Sequence, residues 1–132
     1  MRHLTSETEL EEMLSAETAA LFLFVDWSEY ARCGREIFRE AEIELASTSS
    51  NSSVSWWIVD ISSAQAPPNP ALHDWLKAQE QRGRVCVFPN IAMGNGSVVW
   101  TKGGQLVRLE SNALRSGPAG LVHRTLEILA ES

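Results

Sequence analysis

A chain of 132 residues and 14.6 kDa, with 44% hydrophobic residues and five tryptophans, is sized for one domain over residues 1–132, with a core that needs no metal or disulfide staple. A formal net charge of −6 and a pI of about 5.0 leave no basic stripe to neutralise phosphates, which sets nucleic acid aside as a partner. Two cysteines make no disulfide framework, and His3, His73 and His123 have no cysteine or carboxylate at ligand spacing, so no metal and no cofactor are expected.

The opening "MRHLTSETELEEML" has no apolar signal core, and no later apolar run is long enough to cross a bilayer, so a cytoplasmic protein without membrane contact is the expectation. Leu4 lies in a short strand. Ser6 and Glu9 have the spacing of a capping box, which starts a helix near residue 6. "LFLFV", residues 21–25, is a continuous apolar run between polar residues, the mark of a strand buried on both faces. A long helix follows over about 29–46. Ile37, Phe38, Ala41 and Leu45 hold its inner face, and Glu36, Arg39, Glu40, Glu42 and Glu44 its solvated one.

"STSSNSS", residues 47–53, reads as an exposed loop. "VSWWIVDI", residues 54–61, is a second buried strand, in which the neighbours Trp56 and Trp57 point to opposite faces. Pro67, Pro68 and Pro70 punctuate the next loop. "ALHDWLKAQEQR" then makes a helix that Gly83 ends, with Trp75 in the core. "VCVF", residues 85–88, is a further short apolar run. "SVVWTK", Gly103-Gly104 and "QLVRL" read as a hairpin with a tight glycine turn. Ser116 and Pro118 open a last helix, with Leu121, Val122, Leu126 and Leu129 inward. Crossover helices between apolar strands call for an α/β fold, a central mixed sheet with helices on both faces.

This order, and the phrases "HLTSETELEEML", "FVDWSEYARCGRE", "WWIVDISS" and "VVWTKGGQLVRLESNALRSGPAGLVHRTLEIL", resemble thioredoxin over nearly the whole chain. The resemblance implies a thioredoxin-like fold. It also places the segment from Trp27 to Arg35 where thioredoxins carry W-C-G-P-C, two cysteines two residues apart at a helix N-terminus. There one thiolate attacks a substrate disulfide and the other resolves the mixed disulfide. Aligning on Trp27 puts Ala31 and Gly34 at the two cysteine positions. Aligning on the apolar helix stripe puts Arg32 and Arg35 there. A third register puts Cys33 at the second position and Tyr30 at the first. Every register lacks at least one thiol, so no dithiol forms in this segment.

Thioredoxins also place a cis-proline beside the active site, before the hairpin. Pro89 is the equivalent if "NIAMGNG" is an insertion; counting back from Gly103-Gly104, the step falls at Gly96-Ser97 and the proline is lost. The resemblance would make Asp26 the buried acid that assists thiol chemistry, but with no thiol pair it is read as a cap or loop hydrogen-bond acceptor.

Cys33 has two readings. Beside a helix N-terminus, between Arg32 and Arg35, it has the surroundings that make a thiol reactive. At four residues before Ile37 and eight before Ala41, it continues the buried stripe, and the core reading is preferred. Cys86 in "VCVF" reads as core. Trp27 and Tyr30, with Arg32 and Arg35, make a contact patch at the strand-to-helix junction. The resulting expectation is a non-catalytic thioredoxin-like protein that binds an unidentified protein partner through the degenerate edge or serves as a structural unit in an assembly. The alternative is a monothiol redox protein or sensor acting through Cys33.

Overall fold

The computed structural model describes residues 1–25, 29–48, 54–60, 70–82, 97–111 and 113–130. The predicted Ser6 cap forms, with the Glu9 carboxylate reaching back to Thr5, one residue before the N-cap. The Glu9 N–H donates to Ser6 Oγ at 3.3 Å, and the Glu9 carboxylate accepts the Thr5 N–H at 2.9 Å. Together they open helix α1 (Glu7–Ser15), which follows the two-residue strand β1 (Arg2–His3).

Strand β2 (Thr18–Phe24) is buried at all seven positions. It starts three residues earlier than the apolar run indicates, because the small residues Thr18, Ala19 and Ala20 are buried between β3 and β4 without adding bulk to the hydrophobic pattern. Helix α2 (Glu29–Thr48) leads to strand β3 (Val54–Asp60), and helix α3 (Pro70–Gln81) follows. The hairpin of β4 (Ser97–Lys102) and β5 (Gln105–Glu110) turns at Gly103 and Gly104. Their φ values of 60° and 78° give the double left-handed turn whose twist matches the strands it joins. A 3-10 turn (Ala113–Ser116) precedes the last helix, α4 (Gly117–Ala130).

The strands form one mixed sheet in the order β1-β3-β2-β4-β5. The pairs β1–β3 and β2–β3 are parallel; β2–β4 and β4–β5 are antiparallel. Alternate residues of β2 feed two cores, so helices cover both faces as expected. Phe22 and Phe24 join Phe38, Ala41 and Leu45 of α2 and Leu121, Val122 and Ile128 of α4. Leu21 and Leu23 join Leu10 and Met13 of α1 and Leu72 and Leu76 of α3. Trp56 goes to the first core and Trp57 to the second, as the strand alternation requires.

Three inward assignments in α3 and α4 are corrected. Leu126 is 42% exposed, because the buried place on that turn belongs to Thr125. Its hydroxyl accepts the Trp100 indole N–H at 3.1 Å and donates to the Leu121 carbonyl at 2.8 Å, so a threonine serves there better than a leucine. Leu129 is half-buried for the same reason of register. Trp75 packs only partly against the second core. Among the described residues, no helix is long and apolar enough to cross a membrane. Ser47 and Thr48, expected in the loop 47–53, extend α2 instead; the rest of that loop, the run 85–88 and its Cys86 lie outside the described residues.

Candidate functional site

Strands β2 and β3 run parallel, so both release the chain at one pole of the sheet, after Phe24 and Asp60. Strand β4 runs the other way and begins at that pole, where Ser97 pairs with Leu23. Helix α2 begins there as well. Such a pole, at the carboxyl ends of parallel strands, is where open α/β sheets place their sites. Tyr30, Ala31, Arg32, Cys33, Gly34 and Arg35 lie in the first two turns of α2 and share this pole with Ser97. Ser97, one half of the alternative proline step before the hairpin, is the first residue of β4, as the hairpin reading has it, and is buried. Asp26, Trp27, Pro89 and Gly96 lie outside the described residues, and with them the question of the cis-proline.

Cys33 is exposed, which overturns its assignment to the buried stripe. The inward line of α2 is Gly34, Phe38, Ala41 and Leu45, at the i, i+4, i+7, i+11 spacing of one helical face. Cys33 is one residue, about 100°, off that line and points to solvent. Ile37, four residues later, shares the offset and is only half-buried. Arg32 and Arg35 flank Cys33 and are exposed, and the Arg35 guanidinium lies 4.4 Å from the centre of the Phe24 ring at the end of β2. That stacking holds Arg35 against the rim of the sheet. Arg39 stands 4.0 Å from Glu36 on the same exposed side.

Of positions 33, 34 and 35, the three candidates for a second thiol, only Gly34 is buried. Leu114 of the 3-10 turn lies directly against it, and Phe22 is within van der Waals reach of the same position. The segment thus presents a single thiol, turned outward, above a glycine that faces a filled core. Nothing in the hydrophobic periodicity marks Leu114 as part of this contact. The available signal was Gly34 itself, since glycine inside a helix is disfavoured unless something needs the space of a side chain.

No known protein-family pattern matches the chain, nor does any curated protein. Solved structures do match. Human ERp44 in its zinc-bound form superposes with a TM-score of 0.62 at 18% identity, over 96% of this chain and 31% of the ERp44 chain, so the chain spans about a third of that protein. Oxidised thioredoxin from Plasmodium falciparum gives 0.59 at 14% identity, over 94% of this chain and 96% of its own. Thioredoxin from Trypanosoma brucei brucei gives 0.57 at 11% identity, over 98% and 90%. What the chain shares with them is the fold, a thioredoxin-like mixed five-stranded sheet with helices.

Proposed function

We propose that this chain, which has the thioredoxin-like fold and no Cys-x-x-Cys pair, is a non-catalytic module that binds a protein partner through the edge at the start of α2. The observation that carries this reading is the division of labour between neighbours: Cys33 is exposed, while the inward position beside it is Gly34, which has no side chain. Dithiol chemistry needs a second thiol to expel the substrate from the mixed disulfide, and the segment supplies none. What remains at the pole is a rim of exposed Arg32, Cys33 and Arg35, with Arg35 stacked on Phe24, suited to contact rather than turnover. A cytoplasmic setting belongs to this reading. The test is reduction of insulin by dithiothreitol, which the chain should not accelerate.

The exposure of Cys33 favours a second reading, a monothiol protein whose sulfur reacts with glutathione, a peroxide or a partner thiol. Its test is native-state alkylation at Cys33 with Cys86 replaced. Modification well above the rate of the unfolded chain supports it, and a rate no faster than that of the unfolded chain removes it.

A further inference from the structure

Between the hairpin and α4 the chain passes beneath the start of α2 as the 3-10 turn Ala113–Ser116. Leu114 points from this turn at Gly34. A Cβ on Gly34 would overlap Leu114 Cδ1, and it would stand 3.3 Å from Leu114 Cγ and 3.5 Å from Phe22 Cζ. Carbon atoms in favourable contact are about 3.5–4.0 Å apart, so the first of these positions is not available to a side chain. Leu114 has little room to move. It is 1% exposed and shares a close-packed core with Phe22, Phe38 and Leu121.

We infer that Leu114 is a steric lock on this pole: it occupies the volume that a side chain at position 34 requires, so the start of α2 rejects an opposed thiol pair even when both cysteines are supplied. The inference rests on the non-catalytic reading and sharpens it. A lost motif alone is restored by two substitutions, whereas a filled site is not. Gly34 and Leu114 are then one unit, the glycine tolerated in the helix because the leucine needs its space.

Two measurements on the full chain test the lock. The first is a double-mutant cycle in urea. Gly34→Ala should lower the denaturation midpoint when Leu114 is present and raise it in a Leu114→Ala background, where the ordinary helix preference for alanine over glycine returns. A shift of the same sign in both backgrounds overturns the inference.

The second measurement uses Ala31→Cys/Gly34→Cys with Cys33→Ser, exposed to glutathione disulfide. Closing an intramolecular disulfide removes two protons and two electrons from the paired thiols and releases two glutathiones. With Leu114 in place the pair should stay as thiols or single glutathione adducts. With Leu114→Ala, peptide mass should show the internal disulfide, two hydrogens lighter. Equal yields of that disulfide in both backgrounds overturn the inference. If the cysteine variants fail to fold, the urea cycle still decides. Neither measurement depends on whether the natural chain reduces insulin, so failure of the lock and failure of the non-catalytic reading are separate results.

Discussion

Replacing Trp57 by alanine removes the largest side chain of the core beneath α1 and α3. Trp57 is 1% exposed and sits in β3 between Arg2 of β1 and Leu21 of β2. Its indole N–H donates to Ser55 Oγ at 2.5 Å, and the Arg2 guanidinium lies 4.3 Å from the ring centre. A buried tryptophan withdraws about 150–250 Å² from water, which at about 25 cal/mol per Å² is about 4–6 kcal/mol. Denatured chains already bury part of that area, which brings the figure to about 3–5 kcal/mol, the range found when large aromatic residues are truncated in cores. Urea denaturation followed by far-ultraviolet circular dichroism measures it without relying on the fluorescence of the tryptophan removed. Trp75→Ala is the internal control. That ring is half-buried at the margin of the same core and should cost less. A loss below about 1 kcal/mol for Trp57→Ala would refute the placement of this residue in the core beneath the two helices.

Thr125→Val should cost about 1–3 kcal/mol, because it leaves the buried Trp100 indole N–H without an acceptor; adding Trp100→Phe should cost less than the sum of the two changes. Glu9 is held below its ordinary carboxyl range, first by the Thr5 hydroxyl and then by the Thr5 backbone N–H. The stabilisation it gives α1 is therefore complete above the ordinary glutamate value of about 4.3 and is lost as pH falls through the lower folded value. In Glu9→Gln, urea midpoints measured against pH should show a shallower acid limb, and an unchanged limb would remove Glu9 from the account. Cys33 should be alkylated in the native protein at a rate comparable with that in urea, since its side chain is exposed; strong native protection would contradict its orientation.

Much of the scaffold is legible in the sequence because burial there is written in hydrophobic side chains. Phe38, Ala41 and Leu45 set the inward face of α2, the Trp56–Trp57 step identifies a strand covered on both sides, and paired glycines announce the hairpin. Where burial is carried by residues with little or no apolar side chain, the pattern goes silent. Thr18, Ala19 and Ala20 are buried yet fall outside the visible apolar run of β2. Thr125 takes an inward place that hydrophobicity assigns to Leu126, because what that place requires is an oxygen for Trp100.

The candidate site suffers most from this. Cys33 lies four residues before Ile37, which suggests a shared buried face, but Gly34 fixes the true direction and contributes nothing to a hydrophobic pattern. Leu114, the other half of that contact, is 80 residues further on, in a short turn between two regular elements where no periodicity marks an inward residue.

The most direct test of the non-catalytic reading is the number of insulin disulfides reduced per protein chain with dithiothreitol as the electron donor. The account predicts the rate of dithiothreitol alone, whether Cys33 is present or replaced by serine. Repeated turnover by the natural chain that disappears in Cys33→Ser would contradict it.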